Sequence, residues 1–217
     1  MNFEIFELER NQSLFENEVD YNLSESGVHP LKLSEILTQD EQDELLNTNL
    51  FYGYTNGTPA LRQRVADIYG PNISIENVLI TSGSAEANFL AVMTQLEAGD
   101  EIVYMVPNYL QIGHLARSFG IKVINLPIRQ DLGWQWDLDE LKVLVTPKTK
   151  MICVCNPNNP TGALMSDEVM VGVIEIAKEA NCWILSDEVY RGAELDGNEC
   201  RSFAGATDKT IVNAGLS

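Results

Sequence analysis

Four polar clusters of different kinds stand at the ends of apolar runs. Thr81-Ser82-Gly83-Ser84-Ala85-Glu86 follows the run NVLI and opens an amphipathic stretch. Its small residues let successive backbone N–H groups converge on an anion at the positive end of a helix, and a phosphate is the natural occupant. The same residues also read as a tight turn with Ser84 as an N-cap. Asn156-Pro157-Asn158-Asn159-Pro160-Thr161-Gly162 follows MICVC. Its prolines fix the backbone around the asparagines, so an Asn amide can be held rigid, more constraint than a bare turn requires. Ser186-Asp187-Glu188-Val189-Tyr190 follows CWIL. An acid at a buried strand end is costly unless a partner stabilises its charge, and a protonated ring nitrogen would be such a partner. Tyr190 lies close enough in sequence to serve the same ligand, whereas capping a helix or loop is the other common use of a single Asp. The fourth cluster is Asn213-Ala214-Gly215-Leu216-Ser217, after TIV.

A scaffold that brings strand ends together is legible around these clusters. From Val78 onward, short apolar runs alternate with amphipathic stretches. NVLITSG, EIVYMV, KVINLPI, KMICVCN, CWILSD and TIVNAG read as strands. Helices are predicted over SAEANFLAVMTQLE, closing at Gly99, over YLQIGHLARSF, ended by Gly120, and over DLDELKVLV. A long helix over MSDEVMVGVIEIAKEAN has Ser166 as N-cap and Asp167 and Glu168 in its first turn. Strands rich in Val, Ile and Leu, each separated by a helix, predict an α/β domain with a mainly parallel sheet covered on both faces. Ligands of such sheets collect at the carboxyl ends of the strands, where the four clusters lie. Residues 1–40 form an acidic arm without this alternation, and neither an internal repeat nor a glycine-rich linker divides the chain.

Composition narrows the function classes. Among 217 residues, 32 acids outweigh 14 Lys and Arg for a net charge of -18, which opposes non-specific binding to nucleic acid or an anionic membrane. No apolar stretch is long enough to span a bilayer, and MNFEIFELERNQ does not read as a signal peptide. Cys153, Cys155, Cys182 and Cys200 fit no zinc or thioredoxin spacing, and there are only two histidines, so metal catalysis is not supported. A two-residue period puts Cys153 and Cys155 on one strand face as buried free thiols, in keeping with a reducing cytoplasm.

In order and spacing, NPNNPTG followed by SDEVY, with GSAEA as weaker support, resembles the fold-type I pyridoxal-phosphate (PLP) aminotransferase family of class I/II, over about Tyr21–Ser217. The resemblance implies a three-layer α/β/α PLP-binding large domain over 41–217. It also implies an N-terminal arm over 1–40, belonging to the small domain or substrate lid, and a C-terminal small domain outside this sequence. Backbone amides of Gly83, Ser84 and Ala85 would hold the cofactor phosphate, and Tyr109 in VPNY would stack on the pyridine face. Asn159 and Tyr190 would bond the phenolic oxygen, and Asp187 the ring nitrogen, so that Asp187 and Tyr190 carry the catalysis. Tyr52, five residues before Gly57, matches a tyrosine that reaches the phosphate of the neighbouring subunit's cofactor. Gly27 in SESGVHP matches a glycine loop near the substrate carboxylate, and Asn159 counts among the substrate-binding residues too. The implied activity is transfer of an amino group from an amino acid to a 2-oxo acid, in a cytoplasmic homodimer with a shared site.

Two departures qualify the resemblance. The family's cofactor-bearing lysine follows a segment like NAGLS, and the sequence stops one residue earlier; the expected next residue is that lysine, with truncation as the alternative. Lys209 reads as a solvated loop residue and does not replace it. Gly215 stands where relatives often carry a hydroxyl that bonds the phosphate, which shifts the grip toward the Gly83–Ala85 amides. Cyclases, lyases and oxidases of amino acids share the same residues, and LSESGVHP is similar to the capreomycidine synthase group. A non-catalytic PLP-binding regulator would usually carry a DNA-binding module, and the acidic first 40 residues show no helix-turn-helix pattern.

Overall fold

The runs rich in Val, Ile and Leu fold into strands β1 (Glu101–Val106), β2 (Lys122–Pro127), β3 (Thr149–Cys155), β4 (Trp183–Asp187) and β5 (Thr210–Asn213). In the computed structural model, which describes residues 3–24, 27, 30–195 and 197–216, these pair in parallel in the order β2-β1-β3-β4-β5. β1, β3 and β4 are buried along nearly their whole length, as strands covered on both faces must be. β2 lies at an edge, where its terminal Pro127 disturbs the ladder least.

Alternate strand residues feed two apolar layers. Ile102, Tyr104, Met151, Cys153 and Leu185 pack against Ala91 and Val92 of α5 (Ser84–Gln95) and against Ile112 and Ala116 of α6 (Gln111–Ser118). Val103, Ile152, Val154 and Ile184 pack instead on Leu141 of α7 (Leu138–Leu144) and on Val169, Met170 and Val173 of α8 (Asp167–Ala180). The result is the expected three-layer α/β/α arrangement. Ser166 caps α8 by accepting from the Val169 N–H, as its sequence predicts.

The chain runs from β1 to β2 on one side, then returns to place β3 on the other side of β1. That reversal opens a crevice beyond the carboxyl ends of β1 and β3, the usual ligand position in an open parallel sheet.

Several expectations need correction. NVLITSG is not a strand: no ladder partner exists for it among the described residues. Its bonds go instead from the Ile80 N–H to the Asn56 carbonyl, and from Arg62 Nε to the Val78 carbonyl. An apolar run supplies one half of a ladder, and pairing needs a second strand. The helix predicted to close at Gly99 ends at Gln95, with Leu96 already extended. Cys153 and Cys155 fall into different layers, because Cys155 is the last strand residue and its Sγ turns to the Pro157 carbonyl and the Asn159 N–H. Lys209 is not simply solvated; its Nζ donates to the Asn181 carbonyl at the end of α8.

The arm is helical in part. It holds α1 (Glu7–Phe15) and α2 (Leu33–Ile36), and α3 (Gln39–Leu46) begins at its end; none of the three has a buried residue. α1 is nonetheless tied to α6 at its start, by a two-pronged Arg117–Glu4 pair at 2.6 and 3.2 Å and by Phe3 edge-on to Phe119. α4 (Pro59–Tyr69) is capped by Thr58 and anchored by buried Arg62, which donates to the Val78 and Ile75 carbonyls.

Candidate cofactor site

The first wall of the crevice is the turn before α5. The helices α3, α4, α7 and α8 have their first-turn N–H groups capped by Thr38, Thr58, Asp137 and Ser166. At α5 the cap position is Gly83, with φ +87, and no side chain closes the end. Ser84 is the first helical residue and not the N-cap. The N–H groups of Gly83, Ser84 and Ala85 meet no acceptor among the described residues, while Ser82 N–H bonds to Glu86 and Thr81 Oγ1 to the Gly83 carbonyl. Three free donors on a positive helix end form an anion cradle.

The second wall holds the acid. Asp187 ends β4 in register with Cys155 and Asn213 and is 6 % exposed. Burial pushes its carboxyl up from the ordinary carboxylate range, opposed by hydrogen bonds from the Val189 N–H at 3.2 Å and Asn88 Nδ2 at 3.4 Å. No cation pairs with it among the described residues. A buried acid with donors but no counter-charge is suited to a cationic ligand nitrogen.

The proline-rich loop after β3 spends two asparagines on structure. Asn156 Oδ1 accepts from the Met165 N–H. Asn158 is tied to the Thr161 N–H and hydroxyl and donates to the Pro107 carbonyl at 3.1 Å, which locks this loop to the one after β1. The Asn159 side chain makes no hydrogen bond among the described residues and stays available at the crevice. In the loop after β1, Tyr109 is fixed from three sides. Its N–H donates to Asn108 Oδ1 at 2.7 Å, its carbonyl accepts from Tyr104 at 2.6 Å, and its hydroxyl donates to Glu9 at 2.6 Å. Burial and the Glu9 carboxylate push the Tyr109 phenol upward, with smaller pushes from Asp187 and Tyr190, so these groups share one neighbourhood.

Gly83–Ala85, Tyr109, Asn159, Asp187 and half-buried Tyr190 are thus gathered at one sheet edge. Tyr52 is not among them. It is fully exposed, on a loop held where Gly57, at positive φ, closes onto Ile80 so tightly that a Cβ there would clash with that side chain. Gly27 is described, but Glu25, Ser26, Val28 and His29 of SESGVHP lie outside the described residues, as does Ser217 of NAGLS.

Sequence reasoning missed the braces between the walls. Asn213 Nδ2 donates to the Ser84 carbonyl at 3.2 Å, Gln111 Nε2 donates to the Ala85 carbonyl at 2.9 Å, and Asn88 joins Gln111 to Asp187. The available signal was Asn88 itself: it sits three and four residues before Ala91 and Val92, on the face that α5 buries.

The residues present fit PLP: free amides for a phosphate, a buried acid for a ring nitrogen, and an unused amide and a phenol for an oxygen between them. Comparison with known proteins agrees. The family model for aminotransferase class I and II matches residues 21–217. The chain is 29 % identical over 187 residues to the arginine–pyruvate transaminase AruH of Pseudomonas aeruginosa, covering 83 % of this chain and 48 % of that protein. It is 36 % identical over 138 residues to the aspartate aminotransferase of Pyrococcus horikoshii, covering 62 % and 35 %. A PLP-dependent aminotransferase from Streptococcus suis superposes with a TM-score of 0.90 at 33 % identity, over 100 % of this chain and 59 % of that one. The chain spans about half the length, or less, of these curated relatives. By its strand-end motifs, its parallel sheet and its matched length, the chain belongs to the class I and II aminotransferase family and has the fold of type I PLP enzymes.

Proposed function

We infer that the chain is the cofactor-binding part of a PLP-dependent aminotransferase that moves an amino group from an amino acid to a 2-oxo acid. The observation that carries this reading is Asp187, buried without a counter-ion among the described residues, together with a turn whose three N–H groups meet no acceptor among them. When bound, PLP supplies an electron sink for the pair left behind as the substrate's α-proton departs.

The chain's own residues prepare that sink. Asp187 keeps a proton on the ring nitrogen, which preserves the ring's pull on electrons. The N–H groups of Gly83, Ser84 and Ala85 hold the phosphate, and the absent hydroxyl at Gly215 leaves them the larger share of the grip. Asn159 and Tyr190 donate to the phenolic oxygen and stabilise negative charge there. Tyr109, its position set by Tyr104, Asn108 and Glu9, would stack on the cofactor ring and help orient it. Gly27 and Asn159 would lie near the substrate carboxylate.

Residues 41–217 would be the large domain, and residues 1–40 an arm that joins a small domain or substrate lid. Tyr52, fully exposed in one chain, stands where the family's tyrosine reaches a neighbouring subunit's phosphate, which supports a homodimer. Free cysteines, with no disulfide among them, suit a cytoplasmic enzyme; no helix among the described residues is long and apolar enough to cross a membrane.

An absorbance spectrum of the purified protein, repeated with a panel of amino acids, tests this reading. A PLP band that converts to the spectrum of pyridoxamine phosphate with one amino acid establishes transamination and names the substrate. Oxygen consumption, or a persistent long-wavelength band, would replace transamination by oxidase, lyase or cyclase chemistry. Absence of any bound PLP overturns the reading.

A further inference from the structure

The residues that α5 buries are Asn88, Ala91 and Val92, and Asn88 is 1 % exposed. An apolar side chain would suit that place. An amide there is unfavourable unless hydrogen bonds replace lost water, so the partners of Asn88 show what it does. Its Nδ2 donates to Gln111 Oε1 at 3.2 Å and to Asp187 Oδ2 at 3.4 Å, while its Oδ1 is buried without a donor among the described residues. Gln111 in turn donates to the Ala85 carbonyl at 2.9 Å. The link therefore runs from the acid at the end of β4 to the turn that begins α5.

We propose that Asn88 is a positioning residue that holds the Asp187 carboxylate in place for the cofactor's ring nitrogen and ties it, through Gln111, to the turn that would grip the phosphate. This rests on the cofactor site argued above. A donor to a carboxylate favours its charged form, so Asn88 opposes the burial that favours the neutral acid. The proton shared between Asp187 and the ring nitrogen is thereby biased toward the ring. Gln111 has a different share: it fixes the Ala85 carbonyl and hence the direction of the neighbouring amides, without touching the acid. Losing Asn88 should alter ring protonation, and losing Gln111 should weaken only the hold on phosphate.

The test uses pyridoxamine phosphate labelled with 15N in the ring, which binds without a covalent bond to lysine. In Asn88→Leu, affinity should fall about tenfold and the ring 15N signal should move toward the unprotonated position at fixed pH, with the circular dichroism of the wild type. In Gln111→Leu, affinity for pyridoxamine phosphate should fall while that for pyridoxamine, and the ring 15N signal, stay unchanged. Wild-type affinity and ring signal in a folded Asn88→Leu would overturn the proposal while leaving the cofactor site standing. If Asn88→Leu does not fold, the side-chain amide signals of Asn88 in the wild type must shift when pyridoxamine phosphate is added, and fixed signals refute the proposal. Failure of the wild type to bind pyridoxamine phosphate defeats the cofactor site and this proposal together.

Discussion

The carboxyl edge of the sheet and the stretch from Leu45 to Tyr54 are opposites. At the sheet edge, polar side chains are bonded before any ligand arrives: buried Asn158 to the loop after β1, buried Asn213 and half-buried Gln111 to the turn before α5, and buried Asn88 to Asp187. In the other stretch, Leu45, Leu46, Leu50, Phe51, Tyr52 and Tyr54 are all exposed, and Leu50 and Tyr52 wholly so. Apolar clusters of this kind mark a surface that something else covers. One region is organised by the chain itself, and the other leaves its apolar side chains uncovered among the described residues. In the homodimer proposed above, a single active site would take its acid and phosphate turn from the first kind of region and Tyr52 from the second.

The largest expected effect breaks the organised side. Asp187→Ala should leave the fold in place but lower deuterium exchange at the α-carbon of a substrate amino acid by roughly 10²- to 10³-fold, the usual cost of losing a pre-organised electrostatic partner. Retained exchange would remove Asp187 from the role given to it. Tyr52→Phe probes the other side and should weaken PLP binding about tenfold, the share of one charge-assisted hydrogen bond. Because Tyr52 makes no contact that stabilises its own chain, the melting temperature without cofactor should not change. Equal PLP affinity in both proteins would dismiss the shared site.

A third test concerns pH. Burial raises the carboxyl of Glu188 above its ordinary range, against donors at Ser186, Ser202 and the Phe203 N–H, and its Oε2 has no partner among the described residues. A folded-state pKa above the unfolded value means that the native state binds more protons between the two. Stability contributed by this group is therefore full below the unfolded pKa and is lost as pH rises through the folded one. Asp187 adds a slope of the same sign in the absence of a cationic ligand. Melting temperature measured from mildly acidic to neutral pH should carry this decline, and Glu188→Gln should flatten it, by an amount on the order of 2 °C. An unchanged slope in that variant would show that Glu188 does not titrate there.

The same contrast explains what could be read in advance. Strand runs such as EIVYMV and MICVC announce themselves because a fully buried parallel strand must be apolar throughout. NPNNPTG and SDEVY announce themselves because prolines around asparagines constrain the chain more than a bare turn requires, and an acid at a buried strand end is costly without a partner. NVLITSG misled for the reason that a ladder needs a partner, and composition does not say whether one is near. Cys155 misled because the two-residue period fails at the last residue of a strand, where the chain turns away. The braces were out of reach for another reason: Asn213 to Ser84 spans 129 positions and Glu9 to Tyr109 spans 100, and only the folded chain brings them together.

The smallest expected effect lies where the two regions adjoin. Glu9 belongs to the exposed arm, yet its carboxylate accepts from the hydroxyl of Tyr109, and Phe6 lies edge-on to the same ring at 4.9 Å. Glu9→Gln keeps an acceptor and removes the charge. The hydrogen bond then survives at about half its strength, roughly 1 kcal/mol less, while Phe6 and the Glu4–Arg117 pair keep the arm in place. The Glu9 charge is one of the causes that raise the Tyr109 phenol, after burial. Its removal should therefore let Tyr109 ionise at a lower pH, still above an ordinary tyrosine because burial remains. An ultraviolet titration comparing the wild type, Glu9→Gln and Tyr109→Phe isolates that one phenol. A titration of Glu9→Gln that superposes on the wild type would mean that the arm does not hold Tyr109 in solution, and the organised region would then end at the sheet edge.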